Sequence, residues 1–242
     1  MRKAKVHIGT SGWHYKHWKG TFYPAETKEA EQFAEYRRFF NTVELNNSFY
    51  KLPAPETFAN WRRVSGKNFL FSVKASRFFT HAKKLNVDKA GHRKFFTHVS
   101  RLEEKLGPIL FQLPPKWKVN AERLRNFIIS LPKGYRYTFE FREPTWYSDD
   151  VYTILREHNC AFCIYELNHH LSPMEVTSDF VYVRLHGPGE KYQGSYKKSV
   201  LKKWAARCRE WQAEGKDVFI YFDNDQEGFA AFNALTLIAL LK

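Results

Sequence analysis

The most constraining feature of this chain is an alternation of eight β-rich runs with segments of helical spacing. The runs cover residues 6–11, 42–47, 69–75, 109–113, 137–142, 161–166, 180–186 and 218–223. Such an alternation implies parallel strands joined by right-handed crossovers, and closing eight strands into a barrel removes both sheet edges. We therefore predict one domain over residues 1–242, an α/β TIM-type (β/α)8 barrel, with an open doubly wound sheet as the alternative.

The segments between the runs predict seven main helices. Three of these segments carry apolar residues at helical spacing: Phe95, Val99, Leu102 and Leu106; Leu124, Phe127, Ile128 and Leu131; and Leu201, Trp204, Cys208 and Trp211. Residues 167–179, between the sixth and seventh runs, contain Pro173 and few helical cues. We expect an irregular crossover between strands six and seven.

Charge and composition limit the classes of function. The 39 Lys and Arg residues exceed the 25 Asp and Glu residues, and the formal net charge of +14 attracts polyanions and anionic metabolites. No run approaches the roughly 18 apolar residues of a membrane helix. Met1, Arg2 and Lys3 precede the first run without the apolar stretch of an export signal. We predict a basic, cytoplasmic protein with no membrane partner, and the oligomeric state stays open.

The cysteines indicate a reducing compartment. There are three, an odd number that fits no disulfide framework. Cys160 and Cys163 have the spacing of a redox pair, but they lie in a strand pattern that sends them to opposite faces. We predict buried, free thiols.

Polar side chains stand at the end of almost every predicted strand, where barrels of this class hold their chemistry. Residues two apart share a face of a strand, which pairs Glu44 with Asn46, Glu140 with Arg142, and Arg184 with His186. We predict that they converge on a site. The predicted catalytic residues are Glu44, Glu140, His186 and Asp223, and the predicted ligand-binding residues are Trp13, Asn46, Lys74, Gln112, Arg142, Trp146, Arg184 and Asn224.

The first functional hypothesis is a site for a phosphorylated small molecule or another polyanion, including nucleic acid, with phosphodiester or phosphate-ester chemistry as an extension. Phosphate is assigned to Lys74, Arg142 and Arg184. Stacking is assigned to Trp13 and Trp146, general-base catalysis to Glu140 or Glu44, and proton transfer to His186. The loop over residues 187–195 is a candidate lid.

Two other hypotheses stay open. A sugar or sugar-phosphate enzyme would place two carboxylates on either side of the reacting centre. A non-catalytic scaffold would use the same charged pairs as internal salt bridges. Whether the chain is an enzyme is undecided at this stage.

Cofactor and metal signatures are weak. The chain lacks the glycine fingerprints of nucleotide-binding loops and the nucleophile elbow of hydrolases. Of the ten histidines, His186 is the clear strand-end ligand, so we predict no multi-zinc centre and no cofactor. A single hard cation on Glu44, Glu140 or Asp223 stays open.

Several motifs together resemble one known family. They are Gly9-Thr-Ser-Gly-Trp13, Val43-Glu-Leu-Asn46, Val73-Lys-Ala75, Gln112-Leu-Pro-Pro115, Glu140-Phe-Arg142, Arg184-Leu-His-Gly187 and Tyr221-Phe-Asp-Asn224. In this order and over almost the whole chain, they resemble the YecE-like family, the domain of unknown function numbered seventy-two. The resemblance implies a TIM-barrel-like fold and a relation in shape to zinc endonuclease barrels. Glu143 stands where the family more often has His, so no role is carried over to that position.

Overall fold

The strands lie close to the predicted runs. The computed structural model describes residues 3–242, so Met1 and Arg2, which entered the localisation argument, lie outside the described residues. The strands are β1 (Val6–Thr10), β2 (Thr42–Leu45), β3 (Leu70–Lys74), β4 (Leu106–Gln112), β5 (Tyr137–Glu140), β6 (Ala161–Leu167), β7 (His170–Leu171), β8 (Phe180–Leu185) and β9 (Asp217–Phe222).

Strand pairing confirms the fold class. The order in the sheet is β1-β9-β8-β6-β5-β4-β3-β2, and β7 is a short extra strand that pairs antiparallel with β6. The pairs β1 with β9, β3 with β4, β4 with β5, β5 with β6 and β8 with β9 are parallel. With helices following the strands, this is a TIM-type (β/α)8 barrel fold.

The helices follow the predicted alternation. They are α1 (Gln32–Tyr36), α2 (Asn47–Tyr50), α3 (Pro55–Val64), α4 (Lys89–Val99), α5 (Ala121–Ser130), α6 (Asp149–Glu157), α7 (Lys198–Ala213) and α8 (Phe229–Leu241). Within the described residues, α2 is a single turn added to the seven helices that were predicted. Asp88 and Asn120 cap α4 and α5 by accepting hydrogen bonds from backbone N–H groups.

The crossover between β6 and β8 is irregular, as predicted. It contains the short strand β7 and a loop through Pro173, with no helix in this part of the structure. Ser172 fastens this segment, because its backbone N–H donates to Tyr165 O at 2.9 Å and its Oγ accepts from Tyr165 N at 2.9 Å. The segment therefore replaces the usual helix by direct hydrogen bonds to β6.

The prediction for Leu106 was wrong. We expected this residue on the apolar face of a helix, but α4 ends at Val99, and Leu106 is the first residue of β4. A 3₁₀ segment over Ser100–Lys105 connects the two, with Glu103 at a positive φ of 46°. The sequence did not predict that β4 begins here, because Gly107 and Pro108 are residue types depleted from strands.

The chain divides into two compact units. Unit 1 contains Met1–Glu44, Ile164–Met174 and Asp179–Lys242, and unit 2 contains Leu45–Cys163 and Glu175–Ser178. The prediction of a single domain over residues 1–242 stays a prediction. Phenylalanine rings dominate the core of unit 2, where Phe111 packs against Phe79, Phe127 and Phe139 at 5.0–5.7 Å between centroids.

The core of unit 1 contains tyrosines whose hydroxyls are hydrogen-bonded. Tyr182 and Tyr221 are fully buried, with ring centroids 5.3 Å apart, and the Tyr221 hydroxyl bonds Thr42 Oγ1 at 2.7 Å. The Tyr36 hydroxyl donates to Thr42 O at 3.0 Å. Such partners are needed because an unpaired buried hydroxyl would be costly.

Cysteine burial matches the prediction. Within residues 3–242, the three cysteines are buried and free of disulfide bonds. In the same residues, no helix has the length and apolar character needed to cross a bilayer.

Candidate functional site

The strongest polar cluster of unit 1 is centred on Glu44 and Arg184. Glu44, the last but one residue of β2, is fully buried, and Arg184 in β8 is 1% exposed. Arg184 Nε lies 3.1 and 2.9 Å from the two carboxylate oxygens of Glu44, and Nη2 donates to Oε1 at 2.7 Å. Ser11 Oγ and the Tyr182 hydroxyl also donate to this carboxylate, at 2.8 and 2.7 Å. Glu44 is therefore compensated by five hydrogen bonds.

His186 and Asp223 continue this cluster. His186, just after β8, is fully buried, and its Nδ1 lies 2.9 Å from Asp223 Oδ2. Arg184 Nη1 lies 3.3 Å from His186 Nε2, and Nη2 donates to Asp223 Oδ2 at 3.3 Å. A guanidinium can only donate, so Nε2 accepts and Nδ1 carries the ring proton. This assigns one neutral tautomer to His186.

Asp225 is a site residue that the sequence prediction omitted. Its Oδ1 accepts from Trp18 Nε1 at 2.6 Å, and its Oδ2 lies 2.9 Å from His17 Nε2. Burial raises the pKa of Asp225 to about 6, against the opposing effects of His17 and Trp18, and the charge of Asp223 raises it further. Asp225 stands two residues after Asp223, so the period of two that identified the other pairs could have found it.

Trp13 and Tyr15 lie in the loop that follows β1. Trp13 is partly exposed, and its ring packs against Phe33 with 4.9 Å between centroids. The Tyr15 hydroxyl donates to Ser11 O. Burial raises the pKa of Tyr15 well above its usual range, and the charge of Asp223 adds to the effect. The Trp13 residue is thus partly exposed, and its stacking role stays a prediction.

Asn224 holds the loop over residues 187–195. Asn224 is fully buried, and its Nδ2 donates to Gly194 O at 2.8 Å and to Asn233 Oδ1 at 2.9 Å. At the other end of the loop, Gly187 has a φ of 116°, and a Cβ there would lie 2.3 Å from Gln193 O. The loop conformation thus depends on a glycine and on one buried amide. Its role as a lid stays a prediction.

In unit 2, Glu140 and Arg142 form the predicted pair at the end of β5. Arg142 Nε donates to Glu140 Oε1, and the side chains are 10% and 0% exposed, respectively. Cys163 Sγ lies 3.7 Å from Glu140 Oε2. A buried carboxylate beside a guanidinium is charge-compensated, as in the cluster of unit 1.

Trp146 is fully buried in unit 2. Its indole stacks on Phe141 with 4.9 Å between centroids, and its Nε1 donates to Trp117 O at 2.6 Å. The ring therefore contributes to core packing in this conformation. Its sequence-based assignment to ligand stacking did not anticipate that burial.

A group of cationic and imidazole side chains follows β3. Lys74 Nζ lies 4.3 Å from the centroid of the Phe49 ring, and the His81 ring meets Phe49 edge to face at 5.1 Å. Burial lowers the pKa of His81, and the charges of Arg77 and Lys74 lower it further. We call these residues the Lys74–Arg77–His81 cluster. The sequence prediction included Lys74 and missed the other two.

Local structure positions this cluster. Ser48 Oγ donates to Lys74 O at 2.7 Å, which fixes α2 against the end of β3. A single π-helical turn over Phe78–Ala82 follows, and Thr80 Oγ1 lies 2.9 Å from His81 Nδ1. Turns of this type occur frequently at functional sites.

Asn46 and Gln112, the remaining predicted ligand-binding residues, also lie in unit 2. Within residues 3–242, the buried Oδ1 of Asn46 accepts no hydrogen bond. Gln112 ends β4, and its Nε2 donates to Leu113 O at 3.2 Å. An unsatisfied buried acceptor of this kind is costly in free energy.

Metal-binding groups are sparse in the part of the chain that the structure describes. Across residues 3–242, no three His, Cys, Asp or Glu side chains are grouped closely enough to hold a metal ion.

Comparison with known proteins gives one family. The family model described as "Protein of unknown function DUF72" matches residues 7–242. The UPF0759 protein YunF of Bacillus subtilis is 24% identical over 98% of this chain and 94% of its own length. The UPF0759 protein YecE of Escherichia coli is 32% identical over 47% of this chain and 42% of its own length.

A solved structure supports the same grouping. The crystal structure of a DUF72 family protein from Thermotoga maritima has a TM-score of 0.89 and 29% sequence identity. It covers 98% of this chain, and this chain covers 99% of it.

Proposed function

This chain belongs to the DUF72 family of proteins of unknown function, and on that premise we propose that it binds a phosphorylated small molecule at the carboxyl end of β3. The binding groups are those of the Lys74–Arg77–His81 cluster. The observation that carries the proposal is the placement of Lys74 and His81 on the same Phe49 ring, at 4.3 and 5.1 Å. A phosphate group beside this ring would contact both nitrogen-bearing side chains.

Electrostatics favour an anion in this position. The charges of Arg77 and Lys74 act on His81 and oppose its protonation. A phosphate dianion would reverse that effect, because an opposite charge nearby favours the protonated imidazole. Hydrogen bonds between a phosphate and charged donors are shorter and stronger than those between neutral groups.

Asn46 supplies a polar contact of another kind. Its Oδ1 lacks a hydrogen-bond donor within residues 3–242. Asn46 is connected to the cluster through α2, since Phe49 N donates to Asn46 O at 3.1 Å. Rotation of the Asn46 side chain toward the cluster would let a hydroxyl of the ligand satisfy this acceptor, which favours a phosphorylated polyol over an inorganic anion.

The buried Arg–Glu pairs have a different function in this proposal. Arg184 is bound to Glu44 through three contacts, and Arg142 is bound to Glu140. We therefore assign charge compensation inside each unit to these four residues. The pairs then act as the internal salt bridges of the scaffold hypothesis, and the Lys74–Arg77–His81 cluster binds the phosphate.

Isothermal titration calorimetry with ribose 5-phosphate tests the proposal, with ribose as the uncharged reference. Lys74→Gln should weaken binding by about tenfold or more, because a hydrogen bond to a charged group contributes about 1.5–3 kcal/mol. Lys133→Gln removes the same charge from an exposed position in unit 2 and should leave the affinity unchanged. Equal effects of the two variants, or no preference for ribose 5-phosphate over ribose, would refute the proposal.

A nucleic acid is the competing ligand class for a basic protein. A single-stranded oligonucleotide should bind with a steep dependence on salt if several phosphates are contacted. An oligonucleotide affinity far above that of ribose 5-phosphate, with a steep salt slope, would move the assignment from a small molecule to nucleic acid.

A second candidate function has its own observation in unit 1. Burial raises the pKa of Asp225 to about 6, and the neighbouring Asp223 accepts a hydrogen bond from Arg184 and lies 2.9 Å from His186 Nδ1. A carboxyl group with a raised pKa near a second carboxyl group is typical of general acid–base catalysis. A panel of aryl glycosides and aryl phosphates tests this candidate. Turnover that Asp225→Asn abolishes would support it, and absence of turnover across the panel would count against it.

A further inference from the structure

A small cavity of unit 2 is lined by Ser76 and Phe78, the two chain neighbours of Arg77. It has a volume of about 290 Å³ and lies between the segment after β3 and helix α4. Its apolar lining residues are Leu52, Phe78, Phe79 and Phe95. This volume is at the low end for ligand pockets, which suits one ring system better than a whole metabolite.

The cavity and the cluster are built from the same two segments of unit 2. Ser76 and Phe78 line the cavity, and Arg77 of the cluster lies between them in the chain. Leu52 lines the cavity three residues after Phe49, whose ring contacts Lys74 and His81. These chain neighbours are the basis for connecting the cavity with a ligand held at the cluster.

The lining favours a flat aromatic group. Phe79 and Phe95 are each 1% exposed and form an aromatic wall, while Phe78 is 38% exposed. Lys94 is exposed at the cavity and makes no ion pair within residues 3–242. An aromatic ring in the cavity would gain stacking against the exposed Phe78 ring and a cation–π contact with Lys94.

One polar group in the lining fits the edge of a heterocycle. Ser76 Oγ accepts a hydrogen bond from Phe78 N at 3.3 Å. Its hydroxyl hydrogen has no acceptor in the described part of the chain, so it can donate to a ring nitrogen. A purely aliphatic ligand would leave this donor unused.

Gly91 keeps the cavity open. A Cβ at this position would lie 2.9 Å from Phe78 Cε1 and 2.8 Å from Val87 Cγ1. Any larger residue would push the Phe78 ring away from its present place, because these distances are below van der Waals contact. The glycine thus sets the position of the aromatic wall.

We infer that this cavity receives the base of a nucleotide whose 5′-phosphate lies at the Lys74–Arg77–His81 cluster, so that the ligand class is a nucleoside monophosphate. The inference rests on the proposed function, and it deepens that function by naming the group attached to the phosphate. The base would be held by stacking and by one hydrogen bond from Ser76.

Binding of adenosine 5′-monophosphate and of ribose 5-phosphate, measured by calorimetry on the full chain, tests the inference. The nucleotide should bind about tenfold to a hundredfold more tightly, as expected for one stacked base. Phe78→Ala should remove most of that advantage and leave the affinity for ribose 5-phosphate unchanged. Ile129→Ala, which truncates a 63% exposed apolar side chain on α5, is the matched control and should change neither affinity.

Lys94→Gln is a milder second variant that protects against loss of folding in Phe78→Ala. It should lower the affinity for the nucleotide severalfold and leave the affinity for ribose 5-phosphate unchanged. Equal affinities for the two ligands would refute the inference and leave the proposed function standing. A nucleotide advantage that survives both variants would place the base elsewhere and would also refute it.

If ribose 5-phosphate does not bind at all, the proposed function fails. Binding of adenosine, which has no phosphate, then tests the cavity separately. A shift of the Gly91 amide resonance on addition of adenosine, absent from Phe78→Ala, would support the cavity as a base site. No shift would refute it.

Discussion

Glu44→Gln offers the sharpest test of the charge-compensated cluster in unit 1. Glu44 and Arg184 are 0% and 1% exposed, so the substitution leaves a guanidinium buried without its main counter-charge. The glutamine amide would also direct N–H donors at the donors of Arg184, Ser11 or Tyr182. Removing one partner of a buried ion pair costs about 3–5 kcal/mol. Asp223 Oδ2 lies 3.3 Å from Arg184 Nη2 and offsets part of the lost charge compensation. We therefore expect the free energy of unfolding to fall by about 3 kcal/mol.

Urea unfolding followed by circular dichroism at pH 7 measures this loss. Thermal unfolding gives a second measure, because in a chain of this size 1 kcal/mol changes the Tm by about 2–4 °C. Glu44→Gln should therefore lower the Tm by about 6–12 °C. Glu157→Gln is the matched control, because it breaks an ion pair with Arg125 whose side chains are 48% and 41% exposed. That variant should lose at most about 1 kcal/mol.

A double variant separates the charge from the packing. Glu44→Leu with Arg184→Met removes both ions, and buried pairs replaced by apolar residues are often neutral in stability. It should therefore be more stable than Glu44→Gln. The reasoning is wrong if Glu44→Gln is no less stable than Glu157→Gln at equal m-values, because Arg184 would then not depend on Glu44.

Three further predictions concern single residues. Burial raises the pKa of Asp225 from its ordinary 3.8 to about 6, so ionisation of this carboxyl group lowers the free energy of unfolding as pH rises between these values. Asp225→Asn keeps an acceptor for Trp18 and should be up to about 3 kcal/mol more stable than the parent at pH 8. Urea unfolding should show no such gain at pH 3.5. The lowered pKa of His81 should rise when an anion binds, so sulfate affinity measured by calorimetry should increase as pH falls below 6.5, and His81→Gln should flatten that profile. Trp146→Ala should cost about 3–5 kcal/mol in the same unfolding assay, since its ring is fully buried against Phe141.

Strand positions were predictable from the sequence because the side-chain period of two does not depend on tertiary contacts. The runs 6–11 and 218–223, for example, became Val6–Thr10 and Asp217–Phe222, which pair in register from Val6 with Val218 onward. The beginning of β4 was not predictable, because Gly107 and Pro108 are typical of turns. The pairing of Leu106 with Phe71 of β3 overrides that local preference.

The polar pairs of the site were predictable in part. Glu140 with Arg142 and Arg184 with His186 lie together because residues two apart share a strand face. That Arg184 is occupied by Glu44 could not be read from spacing, since the two residues are 140 positions apart. Arg77 and His81 were missed because a π-helical turn, which has no strong sequence signal, determines their placement.

The burial of Trp146 illustrates the same limit. Its position after a strand end suggested a ligand-facing loop, but the Trp117 carbonyl accepts its Nε1–H at 2.6 Å and holds the ring in the core. A tryptophan with a hydrogen-bond partner for its indole can be fully buried, and its sequence neighbours do not reveal that partner.

The phosphate site is the central claim, and a crystal soaked in tungstate, an anomalous-scattering mimic of phosphate, tests it most directly. We predict an anomalous peak within hydrogen-bond distance of Lys74 Nζ and the Arg77 guanidinium, lost in crystals of Lys74→Gln and retained in crystals of Lys133→Gln. A peak at Arg142 or Arg184 with none at the Lys74–Arg77–His81 cluster would contradict the account.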